Sequence, residues 1–240
     1  MLQIAVMNES KAISDANVQK MLPAFAQQWN DDLRPVWSTD QANFIFVGPG
    51  MQPPPGSWWM VFLDNTDQAQ DLAYHDLTDG GLPMSKVFVQ TIIDDKASIS
   101  VAATHELCEM AVDPWLNTSY QDNSGVFWAG EICDPVEADE YGYEIGGILV
   151  TDFVTPDWFG HQKTRTQVDL KNHAMTPFEV LTGGYAQWYD VGQRVWQQVT
   201  GPLAQKSAMA ATAVSGSRRE RRARLSCFRP IRSLKRDRNR

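Results

Sequence analysis

Thr104-His105-Glu106-Leu107-Cys108-Glu109-Met110 is the stretch on which the reading of this chain turns. Residues four apart on a helix share a face, so a helix here brings the imidazole of His105 and the carboxylate of Glu109 to one point. Glu106 lies about 100° round the helix, beside that point. The flanking residues support the helix over 97–112. Ser98 or Ser100 stands near its start, and Val101, Ala102, Leu107, Cys108, Ala111 and Val112 supply its apolar positions. Asp113-Pro114 ends it, because the residue before a proline is driven out of the helical region.

Ahead of this helix the sequence reads as strands. Ile4-Ala5-Val6-Met7, Phe44-Ile45-Phe46-Val47, residues 58–63 and residues 86–93 are apolar runs of strand length bounded by turn formers. Between the first two, Ser14-Asp15 caps a helix in which Val18, Met21, Leu22, Phe25 and Trp29 recur at helical spacing. Tyr74-His75-Asp76 through Pro83 is polar and Gly-rich, a loop or an edge segment. Gly48-x-Gly50 runs on into prolines, which cannot open a phosphate-binding helix. After the motif helix, residues 115–160 read as irregular. Two hairpins are expected beyond that point or inside it, one around Gly146-Gly147 and one joining Trp188-Tyr189-Asp190 to residues 194–199.

Composition sets the limits. A chain of 240 residues with 43% hydrophobic and 21% charged side chains suits one α+β domain with a sizeable core. Nine tryptophans are read as core filling. There is no apolar run of about 18 residues, the length a membrane-spanning helix needs. The start of the chain reads as a first strand and not as a secretion signal, and three cysteines, an odd number, argue against a disulfide framework. A cytoplasmic protein is the expectation, with association with a virus particle leaving the same trace.

The net charge of −8 hides two opposite parts. Residues 218–240 carry ten arginines and Lys235 against Glu220 and Asp237, a net +9, so the preceding 217 residues have a net −17. The acidic body repels nucleic acid, whereas the basic tail attracts it. Composition changes after Gly201-Pro202, which divides the chain into a domain over 1–202 and an Arg-rich tail over 203–240, expected to be disordered.

A metal site on the motif helix needs further ligands from elsewhere. Glu131, Cys133, Asp134, Glu137, Asp139 and Glu140 crowd one short segment. Glu131 follows Glu109 by 22 residues, the separation expected when a loop returns to the helix's ligand face. Asp134 is placed to hold His105 by its other ring nitrogen. His75, beside Asp76, is a candidate donor to substrate at the cleft, whereas His161 and His173 are read as surface or packing residues.

His105-Glu106-x-x-Glu109 on a helix after a strand, followed by Glu131-x-x-Asp134, resembles the zincin metallopeptidases in which the third ligand is a downstream Glu. Tyr74-His75-Asp76, residues 104–115 and residues 131–153 are also similar to a group of bacterial and phage proteins labelled as metallopeptidases, over about residues 1–200. The resemblance implies a zincin-like α+β fold, a twisted mixed sheet packed on the motif helix. It implies a metal, zinc before manganese or magnesium, held by His105, Glu109 and Glu131, with Glu106 as the general base in hydrolysis of a peptide or protein. The chain departs from the pattern at Glu109, where zincins have His. One His and two carboxylates neutralise a divalent ion, and a less positive centre acidifies water less and favours harder ions.

Three other readings compete with hydrolysis. The domain is a structural or interaction protein, phage-associated, with a degenerate or structural metal site. Alternatively, Cys108 and Cys133 join His105 in a closed zinc site. In the third, the residues 104–110 are only a solvated acidic helix face.

Overall fold

The computed structural model describes residues 1–67, 71–160 and 167–202. Strand β1 (Leu2–Asn8) buries Ile4, Ala5 and Val6 completely, because it is central and covered on both faces. It pairs in parallel with β2 (Ala42–Val47) on one side and β3 (Trp58–Leu63) on the other. Two further strands complete the sheet, β4 (Ala73–Leu77) and β5 (Pro83–Phe88). The order is β2-β1-β3-β5-β4, with β5 parallel to β3 and only the edge strand β4 antiparallel.

Between β1 and β2 the chain crosses over through α1 (Asp15–Gln27), whose first turn is capped by Ser14 Oγ accepting from the Asn17 amide at 3.2 Å. Its face of Val18, Met21, Ala24 and Phe25 is buried, close to the periodicity read from sequence. The helical path continues through a wider, π-type stretch at Gln28–Leu33 into α2 (Arg34–Trp37).

Residues 89–93 correct the sequence reading. They are not a strand but begin helix α3 (Val89–Asp95), which starts directly where β5 ends. Val89 and Ile92, three apart, are buried, while Ile93 is 45% exposed, a helical and not a period-two pattern. After the left-handed Lys96 comes the motif helix α4 (Ile99–Val112), with Ser98 as its cap and Asp113 at its end, as expected. It packs across β4 and β5.

The second half is more ordered than its turn-rich sequence implies. Short strands β6 (Ser119–Gln121) and β7 (Phe127–Ala129) join β10 (Tyr185–Asp190) and β11 (Val195–Thr200) in an antiparallel sheet of order β11-β10-β7-β6. The hairpin at Gly146-Gly147 is β8 (Tyr143–Ile145) with β9 (Ile148–Val150), and both glycines have the positive φ that such a turn requires. The β10–β11 hairpin also agrees with the sequence reading.

One continuous apolar core runs from Ile4 and Phe62 in the first sheet, through Leu107 and Met110 of α4, to Phe153, Trp158 and Ala186 in the second half. The architecture is therefore mixed α/β, a mixed five-stranded sheet with helices, to which a smaller antiparallel sheet is added. No helix of the described residues is long and apolar enough to cross a membrane. The basic run 218–240, with its nucleic-acid expectation, and His161 lie outside the described residues.

Candidate metal centre

Helix α4 is enclosed on every side from Ala103 to Met110. β4 and β5 cover one face, and β9 crosses another, where the Thr151 amide donates to Thr104 Oγ1 at 2.9 Å. The segment that leaves β7 brings Ile132, Cys133 and Val136 in as further cover. This rules out a solvated acidic face. Glu106 is 1% exposed and Glu109 0%, and Asp113, Glu131 and Asp134 are as deeply buried. Burying ionised carboxylates is costly unless cations or hydrogen bonds compensate. Among these carboxylates stand the imidazoles of His75 and His105.

The two imidazoles divide the carboxylates between them. His105 Nε2 lies 3.2 Å from Glu109 Oε1 and 3.2 Å from Asp134 Oδ1. Asp134 therefore approaches the nitrogen that Glu109 approaches, not the other ring nitrogen, as the spacing alone suggested. On the other side, His75 Nδ1 lies 3.2 Å from Glu106 Oε2 and 3.7 Å from Glu109 Oε2, and its Nε2 faces Glu131 Oε2 at 3.8 Å. Glu109 thus spans the cluster, one oxygen toward each histidine.

His75 occupies the middle of β4 with 0% exposure, inside the wall of the cluster and away from any cleft surface. Its role as a donor to substrate is not what this position offers. It is placed to orient Glu106. Glu131, expected beside His105 and Glu109, stands with His75 and Asp113 instead. Among the described residues, the sets in this cluster whose ligand atoms lie within 4.8 Å of one another, and which could hold a metal ion, are His105–Glu109–Cys133, His105–Asp134–Glu137, His75–Glu106–Glu109 and His75–Asp113–Glu131. The donors are imidazole nitrogens and carboxylate oxygens with one sulfur, a mixture that suits zinc, and manganese where oxygen dominates.

Cys133 donates its backbone amide to Glu109 Oε1 at 3.3 Å, which helps fix that carboxylate. Burial first, then the neighbouring Cys108, pushes the Cys133 thiol well above its ordinary range. Cys108 packs in the apolar core, as expected. A fifth set, Asp152–Asp169–His173, lies apart. His173 Nδ1 sits 3.0 Å from Asp152 Oδ2, and burial followed by the neighbouring Asp169 pushes the Asp152 carboxyl up to about 8.

Sequence reasoning missed Asp113, which read only as a helix stop. It does stop the helix, accepting at Oδ1 from the amides of Asn117 and Thr118 at 2.8 Å each, and the same position brings it to His75. The available signal was its heptad offset from Glu106, about two helical turns along one face. Comparison with protein-family models, curated proteins and solved structures finds no match to this chain.

Proposed function

We propose that the protein is a metal-dependent hydrolase acting on peptides or proteins, with its ion held by His105, Asp134 and Glu137. One observation carries this reading: two carboxylate oxygens approach a single imidazole nitrogen at 3.2 Å each, in a buried site. One N–H makes one good hydrogen bond, and a lone pair there repels both oxygens. A cation on this nitrogen relieves the conflict, with Asp134 and Glu137 as its carboxylate ligands. Glu109 and Cys133, which form the other set on His105, stand next to it.

When bound, a divalent ion at this point supplies Lewis acidity toward water and a carbonyl oxygen. The chain supplies the rest. Glu106 Oε2 lies 3.2 Å from His75 Nδ1, which keeps its carboxylate aimed. A carboxylate so held takes a proton from water and returns it to the leaving amine. With His and two carboxylates as ligands, the centre is less electrophilic than a two-His zinc site, so slow turnover or a harder ion is expected. A motif helix that follows the sheet strands and lies across β4 and β5 supports the reading.

A second reading draws on burial. Glu106 at 1% and His105 at 6% exposure leave substrate little room, which favours a structural ion in a non-catalytic, phage-associated protein. One experiment separates the two. Purified chain is analysed for zinc and manganese and assayed on a mixed peptide library, alongside Glu106→Gln. Bound metal with hydrolysis lost in Glu106→Gln supports the hydrolase. Bound metal with no hydrolysis in either form supports the structural reading. Absence of metal sinks both.

A further inference from the structure

We infer that the cluster contains a second cation position, formed by His75, Asp113 and Glu131, so that it holds two divalent ions. This rests on the metal-centre reading above, because it adds an ion to the same cluster. The three residues come from separate elements: mid-β4, the end of α4 and the segment after β7. Their exposures are 0%, 0% and 3%, and one ligand atom of each lies within 4.8 Å of the others.

The histidine is already prepared as a ligand. Its Nδ1 faces two carboxylate oxygens, Glu106 Oε2 at 3.2 Å and Glu109 Oε2 at 3.7 Å. These hold the proton on Nδ1, which leaves the lone pair on Nε2, the usual carboxylate–histidine–metal relay. Nε2 is wholly buried and has no hydrogen-bond partner. It faces Glu131 Oε2 at 3.8 Å, too far for a hydrogen bond. That gap is close to the roughly 3.4 Å edge of a tetrahedral centre with bonds near 2.1 Å. A lone pair and a carboxylate oxygen face each other across the space that an ion fills.

Charge points the same way. Glu106, Glu109, Asp113, Glu131 and Asp134 are all buried, a formal −5 around two imidazoles. One divalent ion leaves −3 in the interior, and a second brings the cluster to −1. Ser85, the direct cross-strand partner of His75, projects from the same face and is buried with its Oγ lacking a hydrogen-bond partner. Its hydroxyl is a further donor to this position. Glu109 links the two positions, since its Oε1 faces His105 and its Oε2 faces His75. The ligand class is a divalent cation that accepts imidazole and carboxylate donors, zinc or manganese.

The test counts ions. Full-length chain is stripped with a chelator, titrated with Zn²⁺ alone or Mn²⁺ alone, and examined by native mass spectrometry, with electron paramagnetic resonance on the manganese form. Two ions per chain are expected, with the manganese form giving twice the signal of a one-ion chain. His75→Ala and Glu131→Gln should each retain one ion, and His105→Ala should retain the other. Glu131→Gln preserves shape, so it serves if circular dichroism shows His75→Ala unfolded. One ion per chain, unchanged by Glu131→Gln, overturns the second position and leaves the first reading standing. Two ions that both survive Glu131→Gln and His75→Ala place the second ion elsewhere and overturn the inference. No ion at all overturns both.

Discussion

Asp134 Oδ1 and His105 Nε2 lie 3.2 Å apart, on the nitrogen that Glu109 Oε1 also approaches at 3.2 Å. This convergence has opposite consequences with and without metal. In the metal-free chain Asp134 adds a buried negative charge beside Glu109, which destabilises the fold. In the metal-bound state proposed above it is a ligand. Asp134→Asn is therefore expected to raise the melting temperature of the chelated chain and to lower the metal's affinity by at least about 10–100-fold, the scale seen even for residues that only support ligands. Calorimetric titration and thermal melts of the same samples check both signs. A variant that melts lower in both states would show Asp134 to be a packing residue.

Chelation itself should be visible as lost stability. An ion at 100 times its dissociation constant stabilises the folded state by about 2.7 kcal/mol. For a domain of this size that corresponds to about 5–10 °C in melting temperature. The expected result is a fall of that order with EDTA, restored by zinc or manganese and smaller in His105→Ala, which keeps the His75 position. An unchanged melt on chelation would remove the metal from the stability of the fold.

The sequence read best where local chemistry and packing agree. Ser98, the apolar positions of α4 and Asp113-Pro114 marked both ends of the motif helix because caps and proline act within a turn. β4 did not read clearly as a strand. Its central residue, His75, is a buried polar side chain, so the strand lacks the apolar alternation that marks a covered face. α3 failed for the reverse reason. Val89, Thr91, Ile92 and Ile93 favour strands, yet placing Val89 and Ile92 together in the core requires a helix. The division of Glu131 to His75 and of Asp134 to His105 could not be read from spacing. It depends on how the chain turns after β7, with Val154 N donating to Ile132 O at 2.8 Å across 22 residues.

Asp152 predicts a pH dependence apart from the metal. Burial and Asp169 push its carboxyl up to about 8, far above the value near 3.9 of an unfolded chain. The folded state then keeps a proton that the unfolded state releases between about pH 4 and 8. Stability is full below that window and falls as pH rises through it, by at most about 1.4 kcal/mol per pH unit. Urea midpoints at pH 5 and pH 8 measure the fall. Asp152→Asn should flatten it, and a slope that survives this variant would assign the effect to other groups.

The second sheet also has a mechanical hold on the candidate metal centre, through Gly184. A Cβ at this position would lie 2.6 Å from Pro135 O and 2.7 Å from Asp134 O, backbone atoms that cannot rotate away. The turn carrying Asp134 is pinned here from the β10 side, where Leu181 N also donates to Pro135 O at 2.9 Å. Gly184→Ala must therefore push the Asp134–Val136 turn away from β10. The cost expected for such overpacking is about 1–3 kcal/mol. Displacing Asp134 should in addition weaken metal binding, although residue 184 is not itself a ligand. Gly192→Ala is the control, in the exposed turn of the same hairpin, where a Cβ meets only the Asp190 side chain at 3.3 Å. Its effect should stay within about 0.5 kcal/mol, with metal affinity unchanged. Chemical denaturation and metal titration of both variants give the comparison. A Gly184→Ala chain that loses stability but binds metal normally would show that the turn moves without carrying Asp134 along.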